Sequence, residues 1–543
     1  MSFLTGSFRF SSLHDRKDRH PATGCRSPCL YFFAGEGIRQ NQVPPPNGPL
    51  DKLTYINIGA KGTLSGKLHT TTSDIDAILD HLRTKAVKVV IHFHGGLVSA
   101  EAGERTARSF VPLYKSAGAH PVVFIWETGF LETILHNLDD IQNTVLFKKI
   151  LAYVIQQLGE HLRISSFSLA PGEREGIPTI ESLIFSPGGL EKYDTHEVNA
   201  QILRRLAALR ESLRALRRRI AREVRNQLEA ELRKNNILRT ILRYEIRRTK
   251  LLNPKTIAKS RAHAAEGEIS ISRLADSISR VVYNVAYRYR RGRDHGFSAT
   301  VVEETLREFY IADFGSWVYG GIKEAAQKMW DPNPGLSGTK IHGGRYFLEG
   351  LSKLQRQKPK LIIDLVGHSA GSIAICFMLR TASLSGLPIR VRNLILMAPA
   401  CQSALFYQEI VKRPKRFQVF RMFTMNDDFE KANHLLPIIY NRSLLYLVSG
   451  ILERKEVDMP LVGMMRFSTC LKPFDSPMLI GIHKFLFATG VPKRTVLART
   501  MITDPTAAAG FRSNAARHQD FNKDADTRHS LVVLIKPRGK AKK

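Results

Sequence analysis

The chain has 543 residues and 43% hydrophobic content, enough to bury a large core, which excludes a disordered protein. Lys and Arg number 81 against 49 Asp and Glu, and the resulting formal net charge of +32 is extreme for a soluble enzyme of this size. The longest apolar stretches are interrupted by Asp364 and His368 or by Asn441 and Arg442, so no membrane-spanning helix is expected. Cys25, Cys29, Cys376, Cys401 and Cys470 are too few and too scattered for a disulfide framework or a zinc site, and a reducing, cytoplasmic setting is expected.

Residues 1–50 read as a flexible leader that ends in the linker-like Pro44-Pro45-Pro46-Asn47-Gly48-Pro49. Leu53–Ala60, Lys88–Phe93 and Pro121–Trp126 then read as strands, separated by helical stretches at Ser73–Thr84 and Glu101–Ala117. From residue 131 to about 340 the pattern is mostly helical, apart from a Pro/Gly-rich loop at Pro171–Gly189 and a similar exit at Asp331–Gly335. Ile202, Leu206, Leu209, Leu213, Leu216 and Ile220 follow one another at coiled-coil spacing and continue as Val224, Leu228 and Leu232. This predicts one long helix, packed as a hairpin against the basic, amphipathic segment Ile237–Leu252. Between Gln201 and Asp294 stand 25 Lys and Arg against 9 Asp and Glu, an excess of 16 that is half of the whole chain's.

Strand patterns resume at Leu361–Val366 and recur at Val391–Met397, Phe417–Met425 and Arg494–Ile502, before a final helix at Ala525–Ile535 and a basic tail from Lys536 to Lys543. Strands alternating with helices imply a parallel sheet covered on both faces, and three strands before residue 130 are too few for a sheet of their own. The expected fold is therefore α/β, a doubly wound, mostly parallel sheet. Its two parts, 51–130 and 341–543, flank a large basic helical insertion at 131–340, read as a lid or arm.

Gly367-His368-Ser369-Ala370-Gly371 lies between the strand that starts at Leu361 and the apolar helix pattern Ser372–Arg380. That is the setting of a nucleophile elbow, a tight strand-to-helix turn whose flanking positions must be small. A second motif, His92-Phe93-His94-Gly95-Gly96, directly follows the Lys88–Phe93 strand. Its H-x-H spacing also suits a metal pair, but no carboxylate cluster stands beside it, and neither metal nor cofactor is expected.

In these residues the chain resembles the alpha/beta-hydrolase superfamily of serine esterases and lipases, over about 51–130 and 341–535. The resemblance implies that Ser369 is a nucleophile and that backbone amides at Gly95, Gly96 and Ala370 form an oxyanion hole. It also implies an acid after the Phe417–Met425 strand and a histidine after the last strand. Asp427 is the first choice of acid and Asp428 the second; the competing reading of these residues is an acidic helix start. His518 sits in a polar loop at the right place, whereas His434 comes too soon, His529 falls in the final helix, and His483 is next in line. The implied activity is hydrolysis of carboxylic esters, lipid esters among them, through an acyl-enzyme and without a cofactor. The basic helices suggest an anionic membrane surface as partner, with a peripheral location on it, and nucleic acid as the weaker candidate. The rival class is an inactive scaffold on the same fold whose basic arm binds nucleic acid, membrane or protein.

Overall fold

Short apolar runs bounded by turn residues form seven strands: β1 (Tyr55–Ile58), β2 (Lys88–Phe93), β3 (His120–Trp126), β4 (Ile362–His368), β5 (Val391–Met397), β6 (Phe417–Thr424) and β7 (Thr495–Leu497). All pair in parallel, in the order β1-β3-β2-β4-β5-β6-β7. The computed structural model describes residues 48–536 apart from 60, 97–98, 127–130, 165–188, 210, 249–270, 311–313, 436–439, 454–456, 490–492 and 500–507. The leader up to residue 47, most of the 171–189 loop and the tail from 537 lie outside them.

Helices cover both faces of the sheet, which is why the strands read as continuous apolar runs. In β2, Val89, Ile91 and Phe93 enter one buried cluster while Val90 enters the cluster on the opposite face, following the two-residue period of a strand. Asp364, the charged residue inside β4, is fully buried and is held by the Arg392 guanidinium and the Asn393 backbone N–H of β5. On the first face lie helices α1 (Thr72–Thr84), which a reciprocal Thr71–Asp74 capping box starts, and α11 (Gly343–Gln357). On the other lie α2 (Ala100–Ser116) and α15 (Ala525–Ile535), which touch each other.

β2 pairs directly with β4, Phe93 opposite Gly367, so the two parts of the chain make one sheet. Between β3 and β4 the described residues hold helices and no strand: α3 (Leu131–Gln142), α4 (Val145–Leu162), α5 (His196–Ala207), α6 (Leu213–Lys234), α7 (Asn236–Arg248), α8 (Ile271–Arg290), α9 (Phe297–Phe309) and α10 (Phe314–Lys328). Residues 47–543 form one unit, in which these helices share the larger core cluster with the sheet.

Three expectations are corrected. The apolar seam from Ile202 to Leu232 is buried apart from a half-buried Leu209, but it runs through two helices. α5 ends at Ala207 and Ser212 caps α6, its Oγ accepting from the Ala215 N–H; a serine satisfies an orphan helix donor better as a cap than inside a helix. The main partner of α6 is α8 and not the Ile237 segment. α8 offers a broad buried stripe, Ala275, Ile278, Val281, Val282 and Val285, whereas α7 places Leu238 and Leu242 in the core and packs on both α4 and α6. The strand expected at Arg494–Ile502 is shorter, and 500–502 lie outside the described residues. No helix among the described residues is long and apolar enough to cross a membrane.

Candidate active site

The site's position follows from how the sheet is wound. After β2 the chain passes through α2 to β3 on one side; after β4 it passes through α12 (Gly371–Leu384) to β5 on the other. Adjacent parallel strands whose chains leave in opposite directions open a crevice beyond their carboxyl ends. The loop after β2 carries Gly95 and Gly96, and the turn after β4 carries Ser369.

Ser369 has φ of +50°, a left-handed conformation that costs a non-glycine residue about 1–2 kcal/mol. Hydrogen bonds to its backbone hold it there. Its N–H donates to Met397 O at 2.9 Å, and its carbonyl accepts from the Ala400 N–H at 3.1 Å and from Ser372 Oγ at 2.6 Å. Gly371 lies against the end of β2, where a β-carbon would strike the Phe93 carbonyl. The facing loop comes equally close: a β-carbon at Gly95 would stand 3.3 Å from Ser369 Cβ, and one at Gly96 2.8 Å from Ala370 Cβ. Side chains at these two positions would separate the loop from the elbow. Ala370 precedes the first turn of α12, where backbone N–H groups have no partner inside the helix and carry the positive end of its dipole. Gly95 and Gly96 thus lie directly against Ser369 and Ala370.

His518, in the segment between β7 and α15, places Nε2 3.0 Å from Ser369 Oγ. Both residues are buried, 3% and 6% exposed. Burial, helped by the nearby His368, pushes the His518 pKa down to about 3. At neutral pH the imidazole is therefore uncharged and able to accept at Nε2, which puts its own proton on Nδ1. His368 lies beside it, ring centres 5.4 Å apart and planes tilted by 36°, and its Nε2 lies 3.2 Å from the His518 carbonyl. A carbonyl only accepts, so His368 carries its proton on Nε2, and its Nδ1 accepts from the Asn522 amide at 3.1 Å.

The expected acid is not in this cluster. Asn426 caps the short helix α13 (Asp427–Ala432), its Oδ1 accepting from the Phe429 N–H, and this places Asp427 in the first turn. There the Asp427 carboxylate accepts from Tyr446 OH at 2.7 Å and pairs with Lys431 at 2.7 Å. Burial opposes its ionisation, but Lys431 and the Tyr446 hydroxyl outweigh that and hold the carboxyl below its ordinary range. It lines an open cleft of about 640 Å³ with Lys431, Arg442, Arg466 and His295. Asp428 is exposed. His518 Nδ1 is buried and has no hydrogen-bond partner among the described residues. Local capping accounts for the two aspartates, which is the acidic helix start weighed against the catalytic reading.

The other histidines are occupied elsewhere. His94 Nδ1 donates to its neighbour Gly95 O at 2.6 Å and Nε2 accepts from the Trp126 N–H at 3.2 Å, so its ring fixes the loop. His92 Nδ1 is 2.7 Å from Tyr114 OH of α2. His483 Nδ1 donates to Ser468 O. Among the described residues no group of three or more His, Cys, Asp or Glu is placed to hold a metal. Sequence reasoning missed the parts played by His368 and Asn522; the only signal for the first was a histidine inside the elbow motif itself. Comparison with known families, with curated proteins and with solved structures finds no match to this chain.

Proposed function

We propose that this chain is a serine hydrolase of the alpha/beta-hydrolase type, cleaving carboxylic esters, lipid esters among them, through an acyl-enzyme. The observation that carries the reading is the 3.0 Å contact between His518 Nε2 and Ser369 Oγ, made across 149 residues of sequence at a strained strand-to-helix turn. A nucleophile and its base within hydrogen-bond reach are the signature of covalent catalysis. In the reaction His518 Nε2 takes the proton as Ser369 Oγ attacks the ester carbonyl. Amides at Gly95, Gly96 and Ala370 receive the oxyanion, and each such donor is worth about 10²–10³ in rate. The alcohol leaves with the proton from Nε2, and water repeats the sequence in reverse on the acyl-enzyme. Each part of this works with protein groups alone.

A second reading is favoured by the buried His518 Nδ1, which has no acceptor among the described residues, and by the near-complete burial of Ser369. In it the fold is an inactive scaffold and the basic helices contact nucleic acid, an anionic membrane or a protein. Fluorophosphonate labelling separates the two. The hydrolase labels at Ser369 and the Ser369→Ala variant does not; absence of labelling of the intact protein gives the scaffold.

A further inference from the structure

The His518 cluster contains two buried polar atoms of opposite capacity, each without a partner among the described residues. One is His518 Nδ1, which carries the imidazole proton when Nε2 accepts from Ser369. The other is Asn522 Oδ1, an amide oxygen that only accepts. His368 stands between the two residues: its Nε2 donates to the His518 carbonyl at 3.2 Å and its Nδ1 accepts from Asn522 Nδ2 at 3.1 Å. Asn522 and His518 are also close in the chain, joined by the short turn that ends at Asn522. A buried donor without an acceptor and a buried acceptor without a donor each carry a desolvation penalty, and both are relieved when the two atoms meet. One bridging water would serve both atoms and leave the Asn522–His368 bond in place, since such a water needs only a polar site and two to four partners.

We propose that Asn522, anchored by His368, is the positioning residue of His518, its amide oxygen taking the Nδ1–H where other serine hydrolases use a carboxylate. This rests on the reading of Ser369 and His518 as nucleophile and base. The step balances as before: Ser369 Oγ–H gives its proton to Nε2 while Oγ bonds to the carbonyl carbon. Nδ1–H stays on its nitrogen, hydrogen-bonded to Asn522, and the Nε2 proton leaves with the alcohol when the carbon–oxygen bond breaks. A neutral acceptor fixes the tautomer and ring angle but adds no negative charge to steady the imidazolium. Asp427 lies outside this chain of contacts, engaged with Tyr446 and Lys431.

The test uses the full-length protein with labelled histidines. The pH titration of His518 is followed by NMR, and the rate of fluorophosphonate labelling and the steady-state constants on a soluble ester are measured across pH. Asn522→Asp is expected to raise the His518 pKa by at least one unit and to move the acid limb of the rate profile upward with it. Asn522→Leu, with its melting curve as the check on folding, is expected to lower kcat about tenfold at unchanged KM, the rate equivalent of one neutral hydrogen bond. Asp427→Asn is expected to move neither quantity. A His518 titration unmoved by Asn522→Asp, or moved by Asp427→Asn instead, overturns the proposal. If the wild type takes no fluorophosphonate at Ser369 while Asn522→Asp still shifts His518, the positioning contact stands and the hydrolase reading falls.

Discussion

Ile322, on α10 of the helical segment between β3 and β4, packs against the loop after β2 so tightly that a β-carbon at Gly96 would meet its Cγ2 at 2.9 Å. The same hypothetical atom would lie 2.8 Å from Ala370 Cβ, so Gly96 is squeezed between the Ser369–Ala370 turn and a fully buried side chain from the helical segment. Gly96→Ala must therefore push the loop away from Ala370. The expected result is a fall in kcat of about 10²-fold, the usual effect of losing one oxyanion donor, with the protein still folded. Ile322→Ala opens space beside the same amides and should raise kcat/KM about tenfold for bulkier acyl groups relative to acetyl, a few methylenes' worth of pocket discrimination. An ester series of rising acyl size measures this; an unchanged profile would remove α10 from the substrate wall.

Stability should depend steeply on pH because four neutral histidines are locked in the core. Burial lowers the pKa of His94 and His368 to about 4 and of His518 to about 3, and holds His92 well below its usual value. A histidine whose folded pKa is depressed adds stability above its unfolded value near 6.5, and that stability is lost as pH falls toward the folded pKa. Glu430 works the other way. Burial raises its carboxyl to about 7 against the pull of Ser443, so the folded state keeps a proton that the unfolded chain releases above about 4.5. Four protons taken up on unfolding against one released leaves up to about 4 kcal/mol lost per pH unit between pH 6 and 4.5. Denaturant midpoints from pH 8 to 4.5 test this. Glu430→Gln should gain up to about 3 kcal/mol at pH 8 and nothing at pH 4; a gain that is equal at both would show that titration is not its cause.

How much of this was legible in sequence depends on how local the signal was. Ser369 could be read from its own neighbours, because glycines, an apolar strand and an apolar helix start all lie within a dozen residues. His518 could be read by position, since its loop lies between the last strand pattern and the last helix pattern. Asp427 could not, because acidic residues after a strand serve equally as helix-start residues, and the choice rests on where Tyr446 and Lys431 end up. The pairing of α6 with α8 was hidden for a related reason. Seam spacing shows that an apolar stripe exists but not which of several basic, amphipathic segments will cover it. Asn522 lacks any local signature; only its contact with His368 in three dimensions distinguishes it from other loop asparagines.

The helical segment and the connection between β6 and β7 are joined by a buried charge network, which sets the next expected outcome. Glu303 on α9 accepts from Arg288 of α8 at 2.6 Å, from His295 at 2.7 Å and from Tyr440 OH at 2.6 Å. His295 reaches Asp458 on its other nitrogen at 2.8 Å, and Asp458 pairs with Arg466 at 3.1 Å. Burial alone would raise the Glu303 carboxyl, but His295 and Arg288 pull it down to about 2. Glu303→Ala leaves the Arg288 guanidinium and the His295 ring each short of a partner in the interior, at a cost of about 3–5 kcal/mol. Screening by salt should change that loss little, since the pair is out of water. Urea titrations in low and high salt would show this, and a loss under 1 kcal/mol would mean that water or another side chain fills the gap.

The basic excess finds its outlet on the outer face of α6. Arg214, Arg218 and Arg222 repeat every four residues there and are exposed, whereas Arg219 of the same helix is engaged with Glu211 and His161. Ile237, at 74% exposure, and Tyr244 stand two turns apart on the following helix α7, which places exposed apolar side chains in the same basic region. Positive charge with exposed apolar side chains suits an anionic lipid surface better than a purely polar partner. Each arginine near such a surface contributes roughly 1 kcal/mol, so three contribute a factor of about 10² in partitioning. Replacing all three by Glu reverses that attraction. The expected outcome is flotation of the wild type with phosphatidylserine vesicles, weakened by salt and lost in the triple variant, with turnover of a short soluble ester unchanged. Equal binding of the wild type to neutral and anionic vesicles would sink the idea. A salt-sensitive shift on single-stranded nucleic acid, lost in the same variant while vesicles are ignored, would assign the face to that partner.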